Sequence, residues 1–392
     1  MDKKTVRDID VSGKRVLVRV DFNVPLREGV VTDDSRIRAA LPTIEYLTER
    51  GAKVILMSHL GRPKGVDDSL RLDAVAQNLA DILDKQVEKA DTTIGDEVKE
   101  AIDRLEPGGI LLLENLRFNE GEKKNDPEFA AELGQLADVY VNDAFGASHR
   151  AHASIVGLSK YMPAVAGLLL EKEIDTLAAI LQDPDRPLIA ILGGSKVSDK
   201  IGVIEKFLDI VNALLIGGGM CFTFLKAKGF DIGNSLLEED KLDFCRRVIE
   251  QAAQKDIPIY LPSDVVIAKE ISADAEAKIA HIDSIPEGWM GLDIGPDSIA
   301  AYRGVISNSR TLFWNGPMGV FEIEQFSRGT EEIAMAIADS VATSIIGGGD
   351  SIAALKKFHL EDKVTFVSTG GGASLELLEG KVLPGYEALL DK

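Results

Sequence analysis

The chain has 392 residues, past the length at which one hydrophobic core keeps growing, and its 45% hydrophobic content can fill two domains of roughly 150–200 residues. Its 44 Lys and Arg against 64 Asp and Glu give a formal charge of −20, which repels nucleic acid and anionic membrane, so any polyanionic small molecule must be met by local basic clusters. The charged start MDKKTVRDID is no signal peptide, no segment approaches ~18 uninterrupted apolar residues, and Cys221 and Cys245 lack metal-ligand spacing; a cytoplasmic protein in a reducing compartment is expected.

From the N-terminus, apolar β-rich runs appear at RVLVRV (15–20), KVILMS (53–58), ILLLEN (110–115) and VYVND (139–143). Helical patterns such as IEYLTER and LDAVAQNLADILD lie between them, so a parallel α/β sheet is expected. Ligands of open α/β sheets gather outside the carboxyl ends of the strands. After the first run come Asp21 and Asn23, after the second His59 and Arg62, after the third Arg117, and after the fourth His149 and Arg150; Arg36 precedes a helix. One such arginine alone reads as a solvated surface charge. As a set at one sheet edge they make an anion site, because guanidinium forks match carboxylate and phosphate. Asp21 and Asn23 instead accept from a hydroxyl, which points to a small ligand carrying anionic groups and a hydroxyl.

The segment EKEIDTLAAILQDPDRP (171–187) has an apolar face at helical spacing and ends in two prolines. It reads as a helix joining two domains or as a crossover helix within one large sheet; chain length and strand number favour the first. Beyond it, LIAILGG (188–194), NALLIGGG (212–219), IPIYLPS (257–263), TLFWNGP (311–317), TSIIGGG (343–349) and VTFVSTGGG (364–372) alternate with helices, as in a doubly wound sheet.

These later runs end in glycine. LGGSKVSDK (192–200) opens a helix with Lys196 and Lys200 on one face, either a solvated pair or point charges on phosphoryl oxygens. Glycine triplets at 217–219, 347–349 and 370–372 let bare backbone N–H groups approach an anion at a helix start. Asp350 is placed to hold Mg²⁺ on nucleotide phosphates or to cap the helix, with Ser351 a cap or phosphate ligand. In WNGPMGVFE, Asn315 lies at a strand end and Glu322 is placed to accept ribose hydroxyls. No GxxxxGK[ST], HRD, DFG or GxGxxG element is present, against a P-loop enzyme, a protein kinase or a nicotinamide-dependent dehydrogenase. The lysines, Asp350 and the missing signal peptide argue against an exported solute-binding module.

Taken in order, RVDFNVP, SHLGRP, ENLRF, NDAFGASHR, LGGSKVSDK, GGGM, WNGPMGVFE, GGGDS and STGGGASLELLEGK resemble the phosphoglycerate kinase family, from about residue 15 to the C-terminus. The resemblance implies reversible phosphoryl transfer between 1,3-bisphosphoglycerate and Mg-ADP, giving 3-phosphoglycerate and Mg-ATP. It implies a phosphoglycerate site of Asp21, Asn23, Arg36, His59, Arg62, Arg117 and Arg150. The implied nucleotide site is Gly193, Lys196, Lys200, Gly217, Gly291, Asn315, Glu322, Gly348, Gly349, Asp350 and Ser351, with Asp350 the magnesium ligand. Arg36, Lys200, Gly349 and Gly372 are expected to meet the moving phosphoryl group.

The expected fold is α/β, two doubly wound parallel-sheet domains facing each other across a cleft and joined by an interdomain helix. Residues 1–170 are expected to hold the phosphoglycerate, 171–187 to form the helix and linker, 188–375 to bind nucleotide, and 376–392 to return to the first domain. A monomer without nucleic-acid or membrane partners is implied. Tyr386 departs from the family, in which an aliphatic residue is more usual there.

Overall fold

The structure, a computed structural model, describes residues 2–392; Met1, where the first expected domain begins, lies outside them. The chain divides into two units: one runs to Thr176 and includes Lys381–Lys392, the other is Leu177–Gly380.

The first unit contains β1 (Arg15–Arg19), β2 (Leu26–Arg27), β3 (Val30–Val31), β4 (Lys53–Met57), β5 (Glu88–Lys89), β6 (Ile110–Leu112), β7 (Val139–Asn142) and β8 (Ala164–Ala166). Six of these form a parallel sheet in the order β5-β6-β4-β1-β7-β8, and β2 and β3 pair as a hairpin. The four apolar runs are its inner strands. Val16, Val18, Val54, Leu56, Val139 and Val141 join a core with Ile44, Leu47, Val75 and Leu79 from the helices Ser35–Glu49 and Asp73–Leu83. Helices cover both faces of such a sheet, so its strands are apolar at nearly every position rather than at alternate ones. The two further strands, β5 and β8, are the edges. One is a two-residue Glu-Lys pair and the other Ala-Val-Ala, too short and too weakly apolar to stand out.

The second unit contains β9 (Leu188–Leu192), β10 (Ala213–Ile216), β11 (Ile259–Tyr260), β12 (Asp264–Ala268), β13 (Lys278–His281), β14 (Met290–Ile294), β15 (Thr311–Asn315), β16 (Thr343–Gly347) and β17 (Phe366–Val367). The six expected runs form one parallel sheet, β11-β10-β9-β15-β16-β17. A separate antiparallel sheet, β13-β12-β14, was not expected from the sequence, and its β13 is mostly exposed, with no apolar run to mark it.

In each parallel sheet the side toward which successive crossovers step changes at one place. The first crossover leads from β1 to β4 on one side, whereas β7 leads to β8 on the other; β9 leads to β10 and β15 to β16 in the same way. The loops after β1 and β7, and after β9 and β15, therefore diverge and open a crevice at the carboxyl edge, where open sheets of this type bind ligands.

The helix expected over 171–187 runs instead from Leu168 to Gln182. Its start is held by Asp143, whose Oδ1 accepts from Leu169 N–H at 2.9 Å and Leu170 N–H at 3.1 Å. It ends before Pro184, which bars helical geometry in the residue ahead of it. Within the first unit the two chain ends are tied together: Lys4 N–H donates to Leu390 C=O at 2.7 Å and Lys392 N–H to Asp2 C=O at 2.9 Å. Tyr386 takes part in the same contact, its hydroxyl donating to Asp2.

Candidate active site

In the first unit, the carboxyl edge brings most of the expected basic residues together around the crevice beside β1. Arg36, at the start of its helix, donates through Nη1 to Asp21 Oδ2 at 3.1 Å and to Asn23 C=O at 3.2 Å. Asn23 Oδ1 accepts from Gly61 N–H at 2.8 Å, tying the loops after β1 and β4. Arg117 donates to Gly61 C=O, and its Nε is buried with no protein partner. Arg150 Nε lies 3.0 Å from His149 Nε2.

The charge balance here is one-sided. Burial, then Arg150, Arg19 and Arg62 lower the Arg117 pKa to about 10, with Glu122 opposing them, so the side chain stays a cation at neutral pH under repulsion that an anion would relieve. His59 is held well below the ordinary imidazole range, first by burial and then by Arg19, Arg117, Arg36 and Arg150. It is therefore neutral at physiological pH.

In the second unit two cavities adjoin at the switch point. One, of about 230 Å³, is lined by the loops after β9 and β15 and by the starts of the helices Gly349–Lys357 and Gly372–Leu378. Lys196, Lys200, Asn315, Gly348, Gly349, Asp350, Ser351 and Gly372 all face it. The other, of about 430 Å³, is lined by Gly291, Glu322, Phe222, Leu236 and Met290 among others, and shares Asp350 with the first. A small polar chamber beside a larger, more apolar one suits phosphates joined to a nucleoside.

Local structure differs from expectation at Lys196. It sits in an exposed loop ahead of the 3-10 turn Ser198–Lys200, so it shares no helical face with Lys200, although both reach the same cavity. Lys200 donates to Asn315 Oδ1, and Asn315 Nδ2 is buried without a partner. Burial pulls the Lys200 ammonium below the ordinary lysine range, with Asp199 and Asp350 opposing. An unpaired amide N–H and a desolvated ammonium both fit an anion.

The glycines divide by role. The Gly193 N–H donates to Asn315 C=O and the Gly217 N–H to Leu192 C=O, so neither offers a free donor. A Cβ on Gly193 would meet Pro317 O at 2.1 Å, one on Gly217 would meet Met318 Sδ at 2.5 Å, and one on Gly291 would meet Phe222 Cζ at 1.9 Å. These glycines allow close packing. Around Gly349 and Gly372 nothing lies within 4 Å of such a Cβ, so these two open onto the cavity. Ser351 Oγ accepts from Gly316 N–H at 2.6 Å and is fully buried, which makes it a staple between loop and helix. Among the described residues no group of three or more His, Cys, Asp or Glu is placed to hold a metal. Asp350 alone, beside a phosphate-sized chamber, suits a hard cation that takes most of its ligands from phosphate and water.

The sequence reading passed over several residues of the site floor. Arg19, inside β1, is 1% exposed and contacts His59; Glu122 and Ser154 lie beneath it, both fully buried. The available signal was a charged residue within the apolar run RVLVRV. Asp293, at the end of β14, lines the larger cavity and was also overlooked. Burial pushes its carboxyl up to about 7, although Gly329 N–H at 2.6 Å and Ile294 N–H at 2.9 Å both donate to it. The folded protein thus keeps this proton to about pH 7, whereas the unfolded chain releases it near 3.8. Stability present below pH 4 is then lost as pH rises through 7. Asp293→Asn does not titrate, so between pH 5 and pH 8 wild type should lose about 2–3 kcal/mol relative to it. Urea unfolding of both proteins at the two pH values measures this; a pH-independent difference would refute it.

No helix among the described residues is long and apolar enough to cross a membrane. The family model described as phosphoglycerate kinase matches residues 6–381. The phosphoglycerate kinase of Moorella thermoacetica is 57% identical over the full length of both chains. That of Rubrobacter xylanophilus is 56% identical over 100% of this chain and 99% of its own. Two solved structures of phosphoglycerate kinases each cover 98% of both chains: that from Coxiella burnetii is 43% identical with a TM-score of 0.89, and that from Pyrococcus horikoshii OT3 is 35% identical with a TM-score of 0.86.

Proposed function

From the premise that this chain belongs to the phosphoglycerate kinase family, a family of glycolytic phosphotransferases acting between 1,3-bisphosphoglycerate and ADP, we propose how its own residues divide the work. The first unit holds the phosphoglycerate through Arg36, Arg62, Arg117, Arg150 and His59, with Asp21 and Asn23 toward its hydroxyl. The second holds the nucleotide: adenosine in the larger cavity with Glu322 toward the ribose, and phosphates in the smaller one beside Lys196, Lys200, Asn315 and Gly348–Ser351. The observation that carries this reading is chemical asymmetry at two equivalent crevices, one crowded with arginines, the other built of glycine, lysine and an unpaired amide.

Phosphoryl transfer needs in-line placement and cancellation of charge on three equatorial oxygens. The acyl phosphate is itself a good donor and the attacking ADP oxygen is already anionic, so the protein supplies neither a base nor a covalent intermediate. Arg36 and Lys200 offer cations to the moving group, and the N–H groups near Gly349 and Gly372 complete its cradle. Mg²⁺ held by Asp350, when bound, neutralises phosphate charge on the nucleotide. A cytoplasmic monomer is the form in which we expect the enzyme to act.

Formation of ATP from ADP and 1,3-bisphosphoglycerate, measured on the purified protein with and without magnesium, tests the assignment. Loss of activity on chelation that magnesium restores is the expected result; magnesium-independent turnover would remove the role given to Asp350. Reacting atoms must also approach to about 3–3.5 Å. Small-angle scattering should accordingly give a smaller radius of gyration with both ligands bound than with either alone. An unchanged radius would count against closure.

A further inference from the structure

Beneath the arginine cluster lies a chain of buried polar groups that touches no part of the cavities described above. Glu122 is fully buried; its Oε1 accepts from Ser154 Oγ–H at 2.7 Å and its Oε2 from Ser154 N–H at 3.0 Å. Ser154 Oγ in turn accepts from Arg19 Nε at 2.9 Å, and Arg19 Nη1 donates to Val20 C=O. Arg19 Nη2 lies 3.0 Å from His59 Nδ1. Each of the three nitrogens of this guanidinium thus has a partner, and its charge faces Glu122 across a single hydroxyl.

A guanidinium can only donate. Nδ1 of His59 must therefore be the acceptor, and in a neutral ring the proton lies on Nε2. The nearest carboxylate that would favour the opposite tautomer is Asp21, whose Oδ1 is 3.9 Å from Nδ1, beyond hydrogen-bond reach. The other charged groups acting on the ring are Arg36, Arg117 and Arg150, all cations.

We infer that Arg19, anchored through Ser154 to Glu122, is a positioning residue that locks His59 in the Nε2–H tautomer, so that the ring presents a donor to an anionic substrate oxygen. Without that lock a neutral imidazole has two tautomers, one of which would turn a lone pair toward the anion and repel it. The tautomer follows from the contacts of Arg19 alone; only its consequence for binding rests on the reading of His59 as a substrate ligand.

The test is a long-range nitrogen–proton correlation spectrum of the full-length protein labelled in histidine, with the His59 signals identified by their loss in His59→Gln. We expect an unprotonated Nδ1 and a protonated Nε2, both unchanging as pH passes through about 6.5, the ordinary imidazole value. A protonated Nδ1, or averaged tautomers, would overturn the inference. Arg19→Met should shift His59 to a tautomer mixture and raise KM for 3-phosphoglycerate by about 10–100-fold, the range for losing a hydrogen bond to a charged group. KM for ATP should change less, and Arg19→Lys, which keeps one donor, should recover part of both effects. If Arg19→Met does not fold, Ser154→Ala, which leaves the guanidinium but cuts its link to Glu122, should still broaden or mix the His59 tautomers; an unaltered His59 spectrum in that variant would break the chain at Ser154. A wild-type spectrum as expected that does not respond to 3-phosphoglycerate would leave the positioning intact and remove His59 from the substrate site.

Discussion

Arg36→Ala should lower kcat by about 10³–10⁵, the range observed when a cation is removed from a phosphoryl-transfer transition state, equivalent to roughly 4–7 kcal/mol of barrier. KM for 3-phosphoglycerate should rise far less. Arg36 already spends Nη1 on Asp21 and Asn23, so its anchoring does not require substrate, and its remaining donors are available to the moving group. Arg62 and Arg150 serve as the contrast: as ground-state contacts they should shift KM with a smaller loss of kcat. Steady-state kinetics in the ATP-consuming direction decides the matter, and an Arg36→Ala enzyme with unchanged kcat would remove Arg36 from the transition state.

Gly316→Ala should harm the second unit as a structure. Gly316 has φ +98°, and a Cβ there would lie 2.3 Å from Gly193 O and 2.9 Å from Gly194 N, backbone atoms that cannot swing aside. Its own N–H is held by Ser351 and its C=O accepts from Trp314 Nε1 at 2.8 Å, so the loop has no slack to absorb the methyl group. Backbone strain and overpacking together should cost about 2–4 kcal/mol, lowering Tm by roughly 5–15 °C. Nucleotide affinity should fall at least ~10-fold, because about 1.4 kcal/mol of disturbance at Asn315 and Lys200 suffices. Gly349→Ala provides the comparison. With empty space around its Cβ and a place inside a helix, it should leave Tm near wild type while impairing turnover. Thermal unfolding and calorimetric ATP titration of the two variants separate packing glycines from ligand-facing ones; equal Tm values would refute the division.

That division shows where sequence reading reached its limit. The inner strands were legible because a sheet covered on both faces is apolar at nearly every position, as in LIAIL and ALLI. The basic residues and glycines were legible because they follow those strands at the carboxyl edge. What escaped lacks such a signature. The strand Lys278–His281 is exposed along most of its length, and the pair Glu88–Lys89 carries no apolar residue at all. Gly193, Gly217 and Gly349 look alike in sequence, yet only the fold determines whether the space beside each is filled by backbone, by Met318 or by nothing. Arg19 was hidden for the same reason: its partners Ser154 and Glu122 are more than 100 residues away, so no local pattern joins them.

The pairing of the two chain ends within one unit makes the second unit an insertion into the first. On a ribosome the second unit, complete at Gly380, can close on itself while the other still lacks Lys381–Lys392, including Leu390, whose carbonyl receives the Lys4 N–H. The first unit is therefore completed only by the last residues to be made, although all strands of its sheet lie within Arg15–Ala166. Asp2 and Lys4 wait for Leu390 and Lys392, and a chain cut short by only its last dozen residues would have one finished unit and one open one.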